Sequence, residues 1–144
     1  MHSVTVTRTI DSDPETIAEA MTDVGPFMTA AGFDEVAVDG DRIEVANAVG
    51  IATIELTLER VDTDALEKPH ADAAFAYEQR EGIFEEMVTS YSLSSVADGT
   101  EVEATTTFAL DVAVVGDLLD ATVIDRQRRR ELEAQLDWLA DETA

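Results

Sequence analysis

The C-terminal stretch VIDRQRRRELEAQLDWLA, residues 123–140, has the periodicity of one long amphipathic helix. We predict that this helix runs from about Asp117 to Ala140 and spans about 36 Å. With Leu132 at the centre of the buried stripe, steps of 100° per residue place six further residues within about 40° of it: Leu118, Ala121, Asp125, Arg128, Leu136 and Leu139. An otherwise apolar face therefore carries an acid and a base near its middle.

The sequence from Phe33 to about Val114 consists of short alternating apolar and polar runs with turn residues between them. The dipeptides Asp39-Gly40, Glu81-Gly82 and Asp98-Gly99 are typical of tight turns between antiparallel strands. We predict six consecutive antiparallel strands with these sequences: FDEVAV (33–38), RIEVAN (42–47), IATIELTLERV (51–61), AAFAYEQR (73–80), IFEEMVTSYSLSSV (83–96) and TEVEATTTFALDV (100–112). Such a sheet has to bury its apolar face, and the C-terminal helix is the only long element that can cover it.

The N-terminal segment predicts one more strand and two short helices. SVTVTRTI (3–10) alternates apolar and polar residues, and Arg8 on the apolar side either ends the buried stretch or enters the interior. In DSDPET (11–16), Ser12 or Asp13 can cap a helix that has Pro14 in its first turn. We expect Gly25-Pro26 to end that helix, and MTAAG (28–32) to form a second short one.

The predicted order is a strand, two short helices, six strands and one long helix. This order, together with IDSDPETIAEAMTDVGPF (10–27) and DRQRRRELEAQLDWLA (125–140), resembles the START/Bet v 1-like superfamily, also described as SRPBCC or polyketide cyclase/dehydrase proteins. The resemblance implies a single domain, residues 1–144, with an α+β helix-grip fold in which a curved seven-stranded antiparallel sheet surrounds the last helix. It also implies a small hydrophobic ligand of the lipid, isoprenoid, polyketide or aromatic class, and it supplies no family-wide catalytic residue.

The chain is strongly acidic: 32 Asp and Glu against nine Lys and Arg give a formal charge of −23, and Lys68 is the only lysine. Nucleic acids and anionic membranes need a basic footprint, so we expect neither as a partner. Because 45% of the residues are hydrophobic, the charge belongs to a folded surface. The pattern favours a protein from an extreme halophile, where molar salt shortens the screening length to about 3 Å. A generic acidic surface leads to the same conclusion about partners.

Residues for metal or nucleophilic chemistry are scarce. The chain has no cysteine, and His2 and His70 are its only imidazoles, one near the terminus and one in a predicted loop. We therefore expect no metal site, no cofactor and no histidine-based triad. The N-terminus MHSVTVTRTIDSD lacks the apolar core of a signal peptide, and no apolar run approaches the roughly 18 residues of a membrane-spanning helix. These features favour a soluble cytoplasmic protein without membrane insertion.

The arginines of the long helix fall into two classes. Arg126 and Arg130 lie opposite the apolar stripe and are interpreted as solvated, with Arg130 able to pair with Glu133. Asp125 and Arg128 interrupt the stripe itself, and Arg129 lies at the edge of the same face, four residues after Asp125. A buried charge must be paired or border water. One interpretation is an ion pair at spacing i,i+3 or i,i+4 that tethers the helix or closes a cavity. The other is a polar part of a ligand cavity, where Arg128 binds a carboxylate, phosphate or carbonyl oxygen.

The strand faces predicted to meet the helix combine apolar residues with a few hydroxyls. These faces carry Phe75, Tyr77 and Gln79, then Met87, Thr89, Tyr91 and Leu93, and then Val102, Ala104, Thr106, Phe108 and Leu110. Such a lining suits a mostly hydrophobic ligand with some oxygens, while an ordinary core of strand residues accounts for each of them individually. The candidate ligand-binding residues are Tyr77, Thr89, Tyr91, Thr106, Phe108, Asp125 and Arg128.

Three functions are compatible with these residues. The first is a non-enzymatic carrier that holds a small hydrophobic molecule between the sheet and the last helix, and the residues favour it over an enzyme. The second is a cyclase/dehydratase in which Asp125 or a tyrosine moves a proton and Arg128 stabilises an enolate oxygen. The third is a protein-interaction module with a filled interior, with Trp138 covering a sheet edge or joining an interface. The oligomeric state stays open.

Overall fold

The computed structural model describes residues 1–49, 51–111 and 121–144. Its seven strands are β1 (His2–Ile10), β2 (Glu35–Asp39), β3 (Arg42–Val49), β4 (Ala52–Arg60), β5 (Phe75–Glu81), β6 (Phe84–Val96) and β7 (Gly99–Leu110). Its helices are α1 (Pro14–Thr22), α2 (Val24–Thr29) and α3 (Ala121–Glu142), with one 3₁₀ turn at Thr63–Ala65. Over these described residues, the predicted order of one strand, two short helices, six strands and a final helix is confirmed. The predicted helix start near Asp117, the stripe position Leu118 and the strand end near Val114 lie outside the described residues.

The seven strands form one antiparallel sheet in the order β1-β7-β6-β5-β4-β3-β2. Strand β1 pairs with β7 and forms one edge of the sheet, and β2 forms the opposite edge. The register shifts between Thr57 and Leu58 on β4, and between Phe84 and Glu86 on β6. Such irregularities bend a strand and increase its twist. The first interrupts the pairing of β4 with β5, and the second the pairing of β6 with β7.

One face of the sheet packs against α1, α2 and α3 to form the hydrophobic core. The strand residues predicted to face the long helix are buried or half-buried, as the alternation indicated. Aromatic rings fill the middle of this core, where Phe27 of α2 lies edge-on to Tyr91 at a centroid distance of 4.9 Å and to Phe75 at 5.7 Å. Trp138 is half-buried and packs 6.1 Å from Phe27, so it contributes to the junction of α2 and α3.

The short helices begin and end at different residues than predicted. Asp13 caps α1 by accepting a hydrogen bond from the Thr16 backbone N–H at 2.8 Å, and this bond holds the pKa of Asp13 below its ordinary value. The prediction that Gly25-Pro26 ends α1 is wrong, because α1 ends at Thr22 and both residues belong to α2. Proline is tolerated there because N–H groups in the first turn of a helix have no intrahelical acceptor.

Two glycines lie at turns where another part of the chain comes too close for a side chain. A Cβ on Gly82 would lie 2.4 Å from Gln79 Oε1, the atom that accepts a hydrogen bond from the Phe84 backbone N–H across the β5–β6 turn. A Cβ on Gly99 would lie 2.2 Å from the Ile10 carbonyl oxygen, where β7 begins beside the end of β1. Both have positive φ, so glycine fits these positions in conformation as well as in space.

The segment between β4 and β5 folds back onto the outer face of the sheet, opposite α3. His70 is buried there, with Nδ1 2.6 Å from Ser90 Oγ of β6 and Nε2 2.8 Å from Thr107 Oγ1 of β7. Burial lowers the pKa of His70 below its ordinary value, which favours the neutral ring. The imidazole therefore links the segment between β4 and β5 to the adjacent strands β6 and β7.

Arg8 lies on the apolar side of β1, where the sequence predicted that it either ends the buried stretch or enters the interior. Its side chain is partly exposed and forms an ion pair with Asp137 on α3. The buried stretch of β1 is therefore interrupted before Ile10, and Arg8 links the edge strand to the long helix from outside.

Candidate functional site

A buried arginine lies between the sheet and the long helix. Arg128 is 4% exposed, and its Nη1 donates to Glu131 Oε1 at 2.5 Å. Its Nη2 faces three hydroxyl oxygens, at 2.8 Å from Thr89 Oγ1, 3.2 Å from Thr106 Oγ1 and 3.5 Å from Tyr77 Oη. A charged group placed in the core is thus surrounded by hydrogen-bond acceptors, as its burial requires.

The three hydroxyls meet because the strands bring them into one row. Tyr77 on β5 is the register partner of Thr89 on β6, which is the partner of Thr106 on β7. Side chains directly opposite one another on neighbouring antiparallel strands point to the same face, in this case toward α3. A further hydrogen bond of 2.8 Å from Thr89 Oγ1 to Thr106 Oγ1 links two of them.

The charge of Arg128 is balanced by Glu131, whose side chain is 5% exposed. Gln127 Nε2 donates to the other carboxylate oxygen, Glu131 Oε2, at 3.3 Å. Burial opposes the charged guanidinium, but the Tyr77 hydroxyl and the Glu131 carboxylate outweigh it and raise the pKa of Arg128 above its ordinary value. The arginine is therefore permanently charged, and it forms an electrically neutral pair with Glu131.

One donor of Arg128 has no partner. Its Nε is fully buried and is the one buried side-chain polar atom without a hydrogen-bond partner among the residues that the structure describes. An unpaired buried donor costs about 1–3 kcal/mol, and more when the group is charged. Arg128 is also among the residues that line a small cavity, whereas Tyr77, Thr89 and Thr106 are not.

The cavity beside Arg128 is small and largely apolar. Its volume is about 20 Å³, enough for one water, within an atom-free space of about 330 Å³ that includes its opening to solvent. Its described lining consists of Phe33, Val45, Asn47, Ile54, Leu56, Ile83, Phe84, Ile124, Gln127, Arg128 and Glu131. Pockets that enclose drug-sized ligands measure roughly 300–1,000 Å³, so a ligand of that size requires side chains at the opening to move.

A second polar contact joins α3 to the sheet one register row away. Tyr91 Oη donates to Gln135 Oε1 at 2.5 Å, and Gln135 Nε2 donates to the Phe27 carbonyl oxygen at 3.2 Å. Burial, assisted by Tyr77, raises the pKa of Tyr91 well above its ordinary value, so its hydroxyl keeps its proton. These bonds make Tyr91 a structural link among β6, α3 and α2.

The structure brings together four of the seven residues predicted for the site: Tyr77, Thr89, Thr106 and Arg128. Tyr91 lies in the adjacent row, and Phe108 is buried against Phe84 at a centroid distance of 5.3 Å. Asp125 is half-buried, and Arg128 takes Glu131 as its ion-pair partner. The spacing of the pair is the predicted i,i+3, but its acid lies on the C-terminal side of Arg128.

Glu131 and Gln135 were missed because the buried stripe of α3 is centred nearer Arg128 than Leu132. Measured from Arg128, steps of 100° place Gln135 at about 20°, Ile124 at about 40° and Glu131 at about 60°. All three are buried, whereas Asp125 lies about 60° away on the other side and is only half-buried. The i,i+3 spacing of Arg128 and Glu131 was the available sequence signal.

Neither a metal site nor a membrane-spanning helix is found within the described ranges. In residues 1–49, 51–111 and 121–144, no group of three or more His, Asp or Glu side chains is placed to hold a metal ion. None of the helices described there combines the length and apolar character needed to cross a bilayer.

Comparison with known proteins gives a result only at the level of structure. No family model and no curated protein matches the chain. A protein of Thermus thermophilus superimposes with a TM-score of 0.69 at 17% identity, covering 99% of this chain and 100% of that one. A START superfamily protein from Mycobacterium smegmatis gives 0.69 at 11% identity, covering 99% and 97%. The Zhui aromatase/cyclase from Streptomyces sp. R1128 gives 0.67 at 18% identity, covering 96% and 93%.

These similarities define the class of fold. The sheet, the two short helices after β1 and the final helix form the α+β helix-grip fold of START/Bet v 1-like proteins, as the sequence predicted. Proteins with this fold include one described as an aromatase/cyclase. At identities below 25% the similarity extends to the fold and not to a ligand or reaction.

Proposed function

We propose that the protein binds and carries a small hydrophobic molecule between the sheet and α3, with a hydrogen-bond acceptor of that molecule placed on Arg128. The unpartnered Nε–H of Arg128, buried beside an apolar cavity, is the observation that carries this proposal. A ligand oxygen at this position would satisfy the donor without disturbing the ion pair with Glu131.

The lining supports a ligand with a mostly apolar body. Most of its described residues are Phe, Leu, Ile or Val, and Asn47 and Gln127 add uncharged polar groups. Lipid, isoprenoid, polyketide and aromatic molecules with an oxygen all meet this description. The proposal assigns Tyr77, Thr89 and Thr106 as supports for the Arg128 guanidinium, and Tyr91 and Phe108 as core residues outside the cavity lining.

Ligand entry requires the small cavity to widen. Ile83 and Gln127 are less deeply buried than the aromatic centre of the core, so we expect their side chains to be the ones that move. Tight binding would then include the cost of that rearrangement, and the free protein would hold at most a water beside Arg128.

Titration with the uncharged fluorescent probe N-phenyl-1-naphthylamine in molar KCl tests the proposal. We expect saturable binding that is weakened at least about tenfold by Ile54→Phe, which adds a ring beside the cavity, and is unchanged by Arg130→Gln on the exposed side of α3. Circular dichroism shows whether each variant is folded. Absence of saturable binding, or equal binding by Ile54→Phe, would overturn the carrier function.

The nearly filled interior favours one alternative, a protein-interaction module. Against it, the large hydrophobic side chains exposed in the described part of the chain lie on separate elements: Met1, Val38, Ile51, Val96 and Val123. Docking surfaces are usually contiguous apolar patches, and these five residues are spread over two strand ends, a turn, α3 and the N-terminus. The enzymatic alternative, with Asp125 as the proton-transfer group, gains no comparable observation.

We further propose that the protein works in the cytoplasm of an extreme halophile as a single domain spanning residues 1–144. The formal charge of −23 supports the high-salt setting, because screened carboxylates keep a protein dispersed where apolar and neutral surfaces associate. The salt dependence of folding tests this part of the proposal independently of any ligand.

A further inference from the structure

We infer that the Arg128–Glu131 pair makes this cavity select uncharged hydrogen-bond acceptors, such as ketones and esters, over carboxylates. This inference rests on the proposed function, since it specifies the ligand class of the same cavity. A lone buried arginine would favour the opposite class, because guanidinium groups bind carboxylates and phosphates most strongly.

Charge balance is the first argument. Glu131 Oε1 lies 2.5 Å from Arg128 Nη1, and both side chains are at least nine-tenths buried. The pair is neutral as it stands, so a ligand carboxylate would add an uncompensated negative charge to a desolvated site. An uncharged carbonyl oxygen adds no charge and loses much less hydration on entry.

The donor geometry is the second argument, and it is independent of charge. Carboxylates bind arginine best through two parallel N–H groups. In Arg128, Nη1 is bonded to Glu131 and Nη2 faces the Thr89, Thr106 and Tyr77 hydroxyls, which leaves only Nε without a partner. A single N–H suits one carbonyl, ester or ether oxygen.

The described lining gives an anion no second cationic partner. Arg128 is the one basic residue and Glu131 the one acidic residue among the described residues that line the cavity. Asn47 and Gln127 are the other polar residues there, and both are uncharged. Because buried charges are screened much less than surface charges, the preference should persist in molar salt.

The test compares 2-acetylnaphthalene with 2-naphthoate, two ligands of similar size that differ in charge. Each displaces N-phenyl-1-naphthylamine from the protein in molar KCl at mildly alkaline pH, where the naphthoate is ionised. We expect the wild-type protein to bind the ketone at least about tenfold more tightly than the carboxylate. The variant Glu131→Gln keeps an oxygen acceptor for Arg128 but removes the balancing charge, so the preference should shrink or reverse.

The matched control is Glu133→Gln, which removes a carboxylate from the exposed side of the same helix and should leave the preference unchanged. Equal or tighter binding of the carboxylate by the wild-type protein would overturn the inference, whether or not Glu131→Gln folds. An unchanged preference in folded Glu131→Gln would also overturn it. Failure of the wild-type protein to bind the fluorescent probe is a different result, because it removes the carrier function itself.

Discussion

Tyr91 of β6 and Gln135 of α3 are joined by a buried hydrogen bond of 2.5 Å, although they are 44 positions apart in the chain. Gln135 continues the link to α2 through the Phe27 carbonyl oxygen. One amide therefore connects three elements at the centre of the core, close to the row of hydroxyls that surrounds Arg128.

Replacement of Gln135 by leucine should destabilise the protein by about 2–4 kcal/mol, because the Tyr91 hydroxyl and the Phe27 carbonyl both lose a buried partner. Adding Tyr91→Phe should recover about 1 kcal/mol or more of this loss, since the second change removes one of the unsatisfied groups. Urea unfolding of the wild type, both single variants and the double variant measures the coupling. Strictly additive effects would show that the two side chains do not interact.

The buried ion pair provides a way to separate binding from stability. Arg128→Ala should cost about 3–5 kcal/mol, because it leaves Glu131 buried without its cation. The double variant Arg128→Met with Glu131→Leu should recover most of that stability, since apolar residues of similar size often replace buried pairs well. It should still bind 2-acetylnaphthalene, whose ketone oxygen can accept a hydrogen bond from Arg128, at least about tenfold more weakly than the wild type. Wild-type affinity in the stable double variant would exclude Arg128 from the ligand site.

Stability should decrease in mild acid because of His70. Its pKa in the folded protein is lowered by burial, so between its ordinary value of about 6.5 and that lower value the unfolded chain binds the proton first. The free energy of unfolding should therefore fall as the pH decreases from about 7.5 to about 5.5. His70→Gln should reduce the slope over this range, and His2→Gln, at the exposed second position, is the control for removal of an imidazole. Equal slopes in all three proteins would contradict this role for His70.

The melting temperature should rise by several degrees or more between low and molar KCl. Lowering the screening length from about 10 Å to about 3 Å weakens the repulsion among 32 acidic side chains that only nine Lys and Arg oppose. Sucrose at matched osmolality is the control, since it stabilises folded proteins without screening charge. A melting temperature that responds equally to sucrose and KCl, or to neither, would remove the electrostatic explanation.

The sequence was sufficient to predict the element order and the sheet face that meets the long helix, because both depend on local periodicity and on turns such as Asp39-Gly40. It also predicted that Arg128 is buried, because Arg128 lies within an apolar stripe of the helix. The partners of Arg128 and Tyr91 were harder to predict. Glu131 and Gln135 are polar residues whose burial depends on groups from other elements, and no hydrophobic pattern encodes those contacts.

The burial of His70 on the outer face of the sheet could not be predicted from the sequence either. Its loop position was predicted, but its burial depends on Ser90 and Thr107, which β6 and β7 supply from far along the chain. The end of α1 was predicted wrongly at Gly25-Pro26 for a local reason. This pair is compatible both with the end of one helix and with the first turn of the next.

Native mass spectrometry of protein purified in high salt, with extraction of any bound small molecule, tests the central claim most directly. We predict a stoichiometric, uncharged hydrophobic molecule with a carbonyl, ester or hydroxyl oxygen, bound to the wild type and lost in the Arg128→Met, Glu131→Leu double variant. Protein without a bound molecule that also takes up no N-phenyl-1-naphthylamine would contradict the claim, and would indicate a closed core whose function lies on its surface.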